Sequence, residues 1–355
     1  MNTIFYTGLI ICDVQYVDVI IIGAGAAGLM CAITAGKRGL KAAVIEHNKI
    51  PGRKILISGG GRCNFTNIHT SHENFISANP DFCRSALAGY TPDDFISLVT
   101  NHGISFFEKK LGQLFCRSSS KQIVEMLMKE CNVTSAIVRC GVRVISVTMG
   151  EKFCVSTSAG EYEAGSLVIA SGGKSDSKLG ATGFGYEIAK QIGHKVIDIR
   201  PGLVPLLLAD SEKRKFGALS GVSVSGRASV KSASFEENIL FTHKGLSGPA
   251  ILQVSSYIRA GEKLNVKFVD REFLAMKLAG MKSSKVHTSN FLSAYLPQRL
   301  IPALIDENIC TSPLNRLTSE EMRAIEECAS GREFMISGNE GFDKAEVTCG
   351  GVDTA

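Results

Sequence analysis

The stretch VDVIIIGAGAAGLMCAITAGKRGLKAAVIE, from Val17 to Glu46, limits the possible folds of this chain more than any other part of it. An apolar run rich in Val and Ile comes first, and it predicts a strand buried on both faces of a parallel sheet. Glycines at the spacing G-x-G-x-x-G follow, then a helical pattern over residues 26–38 and a second apolar strand that ends at Glu46. This order predicts the strand–turn–helix–strand unit of a doubly wound α/β fold.

Each glycine of the G-x-G-x-x-G motif has a physical role. Gly23 permits the tight turn, Gly25 lets a pyrophosphate approach the backbone, and Gly28 lets helix and strand pack closely. The helix N-terminus supplies free N–H groups and a partial positive charge for the pyrophosphate. Glu46, about 20 residues on, can accept hydrogen bonds from a ribose diol. The sequence therefore predicts dinucleotide binding, and the alternative is a unit that uses glycine only for close packing.

A second glycine-rich loop, SGGGRCN at residues 58–64, follows a turn at Pro51-Gly52. Consecutive glycines allow a nest of backbone N–H groups that can face an anion or a flavin ring edge. The basic side chains of Arg53 and Lys54 stand beside the predicted phosphate site. Because this loop follows the first motif so closely, a cofactor role is favoured over a flexible surface loop.

The rest of the chain predicts a second crossing and an insertion. A buried-strand run at residues 167–170 leads into Gly172-Gly173 and a helix over residues 183–192, as expected where a doubly wound sheet meets its ligand. From residue 196 alternating β-like runs precede helical patterns, and a strand resumes at residues 344–348. We therefore expect four segments: an N-terminal extension (1–16), the first part of a cofactor-binding domain (17–195), an insertion that is β-rich and then helical (196–341), and a return to the first domain (342–355).

Composition argues against several functions. The 39 basic and 34 acidic residues give a formal net charge of +5, and no basic stripe with interleaved aromatics occurs, so we expect no nucleic-acid partner. The 11 cysteines form no C-x-x-C pair, which suggests neither a metal site nor a redox dithiol. No apolar run reaches the about 20 residues of a membrane span, so we expect no membrane partner. An odd cysteine count without a signal peptide favours a reducing cytoplasm.

Five strings occur in order along the chain: GAGAAGLMCAI, KILISGGGRCNFTN, ASGGKSDSKLGATGFGYEIA, ILFTHKGLSGPAILQ and AEVTCGGVDT. Together they resemble the bacterial flavoprotein family that contains BaiN-type bile-acid reductases and aminoacetone oxidases. The resemblance covers residues 17–355 and implies a Rossmann-like α/β domain that binds FAD, interrupted by a β-barrel-plus-helical insertion. It implies an oxidoreductase that transfers a hydride or electrons through the flavin to an unknown small molecule. It leaves NAD(P)H open as the electron donor and the oligomeric state undetermined.

The resemblance also implies which residues hold FAD. The pyrophosphate would lie against the first loop, the adenosine ribose against Glu46, the adenine near Val144, and the ribityl chain above Gly172-Gly173. The residues implied for the first loop are Gly23, Gly25, Ala26, Ala27 and Gly28, and those for the phosphate and flavin side are Lys54, Ser58, Gly59, Gly61, Arg62, Cys63 and Asn64.

The sequence does not determine the roles of Cys63, Thr242 and His243. Cys63 is either a redox thiol or packing beside the cofactor, and packing is favoured because no partner cysteine is near it in sequence. Thr242 and His243 of FTHKGLSGP are the only substrate-side candidates. Histidine can exchange a proton near pH 7, and the alternative is a structural hydrogen bond.

Two departures from the family pattern lead to an alternative function. Phe115-Cys116 stands where the family usually has Phe-Pro. Relatives continue past Gly350-Gly351-Val352 with a strand and a glycine–acid–helix segment, so we expect a truncated chain that holds FAD poorly. The alternatives are therefore an inactive remnant with weak or no FAD binding and a dehydrogenase that uses only NAD(P). The SGGGRCN loop favours FAD over the latter.

Overall fold

A computed structural model describes residues 14–355, which form two compact units. The sheet unit comprises residues 14–173, 179–197 and 351–355, and the barrel unit comprises residues 174–178 and 198–350. Of the predicted N-terminal extension, residues 1–16, the first 13 residues lie outside the described residues. Its last three residues belong to the first strand, because they pair with a neighbouring strand.

The sheet unit contains nine strands: β1 Val14–Ile22, β2 Ala42–Glu46, β3 Asn64–Asn67, β4 Phe106–Glu108, β5 Gln113–Cys116, β6 Ile137–Cys140, β7 Val144–Met149, β8 Phe153–Thr157 and β9 Gly160–Ile169. Six of them form one sheet in the order β6-β2-β1-β9-β8-β7, and three form another in the order β3-β5-β4. The strands β6, β2, β1 and β9 run parallel, while β8 and β7 are antiparallel. The predicted parallel sheet is confirmed, with an antiparallel hairpin at one edge.

Helices cover the central strand β1. The helices of this unit are α1 Ala26–Lys37, α2 Arg53–Gly61, α3 Arg84–Gly89, α4 Pro92–Asn101, α5 Lys121–Val133 and α6 Phe184–Gln191. On one side of the sheet, Ile21 packs in a cluster with Leu29 of α1 and Leu127 of α5. On the other side, Ile20 packs in a cluster with Ile188 of α6. The strand is buried on both faces, as its apolar run predicts.

The barrel unit is built from a closed six-stranded barrel in the order β11-β14-β13-β12-β15-β16, with bounds β11 Leu206–Leu208, β12 Ser223–Val230, β13 Ala233–Phe241, β14 Gly245–Ser247, β15 Lys263–Lys267 and β16 Gly331–Asn339. The alternation in VSVSGRASV places Val224 and Ala228 inside and the serines outside. Three phenylalanines fill the interior, with the Phe216 ring 5.1 Å from Phe334 and 6.0 Å from Phe241. The predicted barrel is confirmed.

Seven helices accompany the barrel: α7 Asp210–Phe216, α8 Pro249–Val254, α9 Arg271–Gly280, α10 Thr288–Leu292, α11 Ile301–Leu304, α12 Glu307–Thr311 and α13 Ser319–Ser330. A capping box of Thr318 and Glu321 opens α13. Ser247 does not cap α8, because it pairs with Leu240 in the barrel and Gly248 precedes the helix. Among the described residues, no helix is both long and apolar enough to cross a membrane.

Two strands link the units. The strands β10 Val196–Gly202 and β17 Val347–Val352 form a two-stranded sheet, and the chain enters and leaves the barrel unit along them. The predicted return at residue 342 lies earlier than the structural one at residue 351. The reason is local, since Phe342 accepts a hydrogen bond from Asp176 and Glu346 donates one to Leu203, all within the barrel unit.

Candidate functional site

The first glycine loop, residues 23–28, joins β1 to α1. Gly23 has a φ of 109°, and a Cβ there would overlap the carbonyl oxygen of Ala170. A Cβ at Gly28 would overlap the carbonyl oxygen of Gly23. At Gly25 the situation is the opposite, because no atom lies within 4 Å of a Cβ built there. Two glycines are therefore required by packing, while the third borders open space.

That open space lies at the N-terminus of α1. Gly25 is the N-cap residue with extended backbone (φ −79°, ψ −173°), and no side chain caps the helix. The first N–H groups of a helix have no partner within it, so those of Ala26, Ala27 and Gly28 are available to a ligand. Uncapped N–H groups and the helix dipole favour an anion such as a pyrophosphate.

Glu46 ends β2 and holds the first loop in place. Its Oε2 accepts a hydrogen bond from the Ala24 N–H at 2.8 Å. Its Oε1 accepts one from the Asn48 N–H and another from the Asn48 Nδ2, both at 2.8 Å. The residue is only 7% exposed. The His47 Nδ1 also lies 3.3 Å from Oε1. A carboxylate offers about four acceptor positions, and the one left for a ribose hydroxyl is on Oε2.

The start of α2 is tied to the first loop. The Gly52 N–H donates to the Ala24 carbonyl at 2.8 Å, and the Arg53 Nη1 donates to the Asn48 Oδ1 at 2.9 Å. Lys54 lies exposed on the same helix. These contacts bring the two glycine motifs into one region of the sheet unit.

The second glycine loop begins as a helix, which the sequence did not predict. The backbone of α2 leaves helical geometry at Ser58 and then takes left-handed values at Gly59 (φ 58°) and Gly60 (φ 67°), and Gly61 follows with a φ of 83°. No atom lies within 4 Å of a Cβ built at Gly60 or Gly61. These two glycines are required by conformation, and space in front of them is open.

The predicted nest of N–H groups at the consecutive glycines stays a prediction, but the two residues after them do not add to it. The Cys63 N–H donates to the Ser58 carbonyl at 3.0 Å, and the Arg62 N–H donates to the Gly59 carbonyl at 3.4 Å. These donors are therefore used within the loop. The amide nitrogen of Asn64, oriented to satisfy its neighbours, donates to the carbonyls of Thr66 and Leu114 at 3.1 and 3.3 Å.

Cys63 has a neighbouring cysteine that sequence reasoning missed. Asn64 pairs with Phe115, and the Cys116 N–H donates to the Arg62 carbonyl at 2.9 Å, so Cys63 and Cys116 lie side by side. Burial raises the pKa of Cys63, and burial together with the nearby Cys63 raises the pKa of Cys116 to about 11. Both thiols are protonated at neutral pH, which supports packing rather than a reactive thiolate. The proximity of Cys63 and Cys116 could not be predicted from the sequence, because only the pairing of β3 with β5 brings the two cysteines together.

The remaining predicted cofactor contacts lie around the same edge. The Val142 N–H donates to the Glu46 carbonyl at 3.0 Å, which ties this segment to the end of β2. Val144, the first residue of β7, follows two residues later. Gly172 has a φ of 75° and open space around it. Because Ala170 contacts the first loop at Gly23, the Gly172-Gly173 turn begins beside that loop.

The substrate-side candidates lie in the barrel unit. The Thr242 Oγ1 accepts hydrogen bonds from the N–H groups of Gly245 at 3.0 Å and Lys244 at 3.3 Å, so it closes the turn between β13 and β14. His243 is exposed in that turn. Residues 14–355 contain no group of three His, Cys, Asp or Glu side chains that could hold a metal ion.

Comparison with known proteins places the chain among relatives of similar length. A family model described as the HI0933-like protein Rossmann domain matches residues 17–355. The chain is 43% identical to the ribosomal RNA dihydrouridine synthase of Escherichia coli, over 95% of this chain and 86% of that one. It is 39% identical to the protein of the same name from Haemophilus influenzae, over 96% and 87% of the two chains. It is 29% identical to the 3-dehydro-bile acid delta(4,6)-reductase of Clostridium scindens, over 94% and 86%.

Proposed function

The chain belongs to the family of HI0933-like proteins with an FAD-binding Rossmann domain, and from this premise we propose that it reduces the C5=C6 double bond of a uridine in ribosomal RNA. The observation that carries the proposal is the 43% identity to a ribosomal RNA dihydrouridine synthase across 95% of this chain. Dihydrouridine is uridine with that bond saturated. The reaction therefore adds one hydride and one proton to the base.

A more distant relative supports the class of reaction. Its name describes reduction of the delta(4,6) double bonds of a 3-dehydro bile acid, at 29% identity. Those double bonds are conjugated to a carbonyl, as the C5=C6 bond of uracil is conjugated to its C4 carbonyl. Hydride addition to such a bond develops negative charge on the carbonyl oxygen. The second candidate function is accordingly reduction of a conjugated ketone in a small molecule.

The residues of the sheet unit fit FAD. The space in front of Gly25 and the uncapped first turn of α1 suit the pyrophosphate, and the open faces of Gly60 and Gly61 suit a group that approaches the backbone closely. Glu46 keeps about one acceptor position for a ribose hydroxyl while it holds the Ala24 N–H. Once reduced by an external donor such as NAD(P)H, bound FAD would supply the hydride through its flavin N5.

In this proposal the chain's own residues bind and orient. The first loop and Glu46 hold the dinucleotide, since their geometry is already set by hydrogen bonds within the protein. The buried thiols of Cys63 and Cys116 stay protonated and pack beside the second loop. His243, exposed in the β13–β14 turn, remains the candidate for proton exchange on the substrate side.

The proposal departs from the expectation that no nucleic acid is a partner. That expectation rests on a mild net charge of +5 and the lack of a long basic stripe. An RNA-modifying enzyme needs only local surfaces for phosphates and unpaired bases. The chain has 39 basic residues, and a local surface is positively charged wherever several of them lie together without acidic neighbours.

The test uses an E. coli strain that lacks the relative. The chain is expressed in that strain, ribosomal RNA is purified and digested to nucleosides, and mass spectrometry detects the nucleoside heavier than uridine by two hydrogen atoms. The control is Gly25→Val, whose side chain would occupy the pyrophosphate space. We expect dihydrouridine with the parent and none with the control. RNA without dihydrouridine, together with reduction of a 3-oxo-Δ4,6 steroid by the purified FAD-loaded protein supplied with NADH or NADPH, would favour the second candidate.

A further inference from the structure

One surface of the barrel unit combines basic and apolar side chains, and its interpretation rests on the proposed function. It spans the exposed face of α9 and the loop to α10, FLAMKLAGMKSSKVH at residues 273–287. We name it the lysine surface; its exposed members are Phe273, Met276, Lys277, Met281, Lys282, Lys285 and Val286. From Phe273 to Ile305 the sequence contains no acidic residue.

Most of the exposed large apolar side chains of residues 198–350 lie in the lysine surface. Among residues 198–350, six large apolar side chains are exposed, and four of these, Phe273, Met276, Met281 and Val286, fall within the lysine surface. Single exposed apolar residues are ordinary, but a cluster marks an interaction site. The lysine surface is therefore a binding surface rather than a solvated helix face.

The lysines of this surface lack the ion pairs that some other cations of the same unit form. Arg227, Lys263 and Arg271 each form an ion pair with a glutamate. No ion pair to Lys277, Lys282 or Lys285 occurs among the described residues, and Lys277 lies over the Phe273 ring with its Nζ 5.3 Å from the centroid. Three cations that form no ion pair attract an anionic partner, although Glu272 is exposed in the first turn of α9 and Arg271 of α9 pairs with Glu327 of the acidic helix α13.

Phe273 is held in place by aromatic neighbours. Its ring meets Tyr295 edge to face, with centroids 5.7 Å apart at 85°, and Tyr295 meets Phe291 at 5.5 Å. Phe291 is buried, whereas Phe273 is 40% exposed. An exposed ring on a rigid support is suited to stacking against an unpaired nucleobase.

From charge and stacking together, we propose that the lysine surface binds single-stranded RNA of the substrate. Lys277, Lys282 and Lys285 contact phosphates, and Phe273 stacks on an unpaired base. A helix face that is both basic and apolar also suits an anionic membrane surface. RNA is favoured because the ring is fixed by Tyr295 and because the relatives with 43% and 39% identity are named for ribosomal RNA.

The experiment measures the affinity of the full-length, FAD-loaded protein for ribosomal RNA from the E. coli strain that lacks the relative. The variant combines Lys277→Gln, Lys282→Gln and Lys285→Gln. We expect its affinity to fall at least about tenfold at about 0.1 M salt, and the slope of log affinity against log salt to fall by about two. Phe273→Ala should weaken binding about tenfold with an unchanged slope, since stacking carries no charge.

The matched control removes three charges elsewhere. Lys213→Gln, Arg214→Gln and Lys215→Gln alter α7, which carries no exposed large apolar side chain. We expect at most a twofold to threefold loss, from the general charge alone. An equal loss in both triple variants would overturn the proposal, as would an unchanged affinity in the lysine-surface variant. FAD content and melting temperature check that each variant is folded.

Two further measurements separate the possible failures. If the parent binds vesicles of anionic phospholipid, and the lysine-surface variant loses that binding but keeps its RNA affinity, the surface is a membrane contact and the proposal is wrong. If the parent forms dihydrouridine in the RNA while the lysine-surface variant binds RNA as tightly as the parent does, the surface proposal fails and the proposed function stands. RNA bound through the lysines without any dihydrouridine formed supports the surface and counts against the function.

Discussion

The two glycine loops of the sheet unit use the same residue for different physical reasons. In the first loop, Gly23 and Gly28 are required because a side chain would strike backbone atoms. In the second loop, Gly60 and Gly61 have free space around them but take positive φ angles, 67° and 83°. Gly25 belongs to neither class, because it has both open space and an ordinary φ of −79°.

The difference between these glycines distinguishes a glycine needed for folding from one needed for ligand binding. A glycine required for packing or conformation is explained by the protein alone, so its loss lowers the free energy of unfolding. A glycine that the protein does not require points to something that is bound there. Gly25 is such a residue, and variants of the three classes should behave differently.

The largest effect is expected for Gly25→Val. The valine side chain would fill the pyrophosphate space, so the dissociation constant for FAD should rise by at least about three decades, or about 4 kcal/mol. The free energy of unfolding of the apoprotein should change by less than about 1 kcal/mol, the cost of a poorer N-cap residue. FAD titration followed by flavin fluorescence, with urea unfolding of the apoprotein, tests both. Tight FAD binding by this variant would mean that the pyrophosphate lies elsewhere.

Gly28→Ala should give the largest loss of stability. The new Cβ would overlap the Gly23 carbonyl, and neither backbone can move freely, so we expect a loss of about 3 kcal/mol in the free energy of unfolding. Urea unfolding of the apoprotein measures it, with Gly25→Ala as the matched control. Equal stabilities of the two variants would break the distinction between packed and open glycines.

Substitution in the second loop should cost less. Gly60→Ala places a side chain in free space but in a left-handed conformation, which costs about 1–2 kcal/mol. Gly60→Asn should lose about half as much, because Asn tolerates that region. As a control, Gly89→Ala at the end of α3 has open space and no positive φ, and it should be neutral or stabilising. A Gly60→Ala variant as stable as the parent would show that conformation does not require this glycine.

The smallest effect concerns the thiols beside the second loop. The folded-state pKa of Cys116, about 11, lies above the ordinary value of 9.0. Between these values the folded protein keeps a proton that the unfolded chain releases, so stability is full below pH 9 and falls as pH rises towards 11. At pH 8, iodoacetamide should modify exposed Cys154 and Cys328 well before Cys116. Mass spectrometry of digests follows each site, and Cys116→Ala should flatten the pH dependence of unfolding.

The features that local sequence determines were the ones that could be predicted. The unit from β1 to β2 follows from strand and helix periodicity and from glycine spacing, and alternation predicts the strand β12. The closure of the strands into a barrel is implied only by the resemblance to the flavoprotein family. The helix α2 could not be predicted, because its regular part is a single short stretch before three glycines. Two contacts could not be predicted, because each joins residues that are distant in sequence and no local pattern indicates it. They are the hydrogen bond of Glu46 with Ala24 and the contact of Cys63 with Cys116.

The pairing of β10 with β17 has a consequence for synthesis of the chain. These strands bring together the two ends of the barrel unit, Asp198 and Gly350. The barrel can therefore close on the ribosome once residues 198–350 have emerged, before residues 351–355 of the sheet unit follow. Once it has closed, the long segment between Lys195 and Asp353 acts as a short loop, and the ion pair of these two residues at 2.8 Å forms at a much smaller entropic cost.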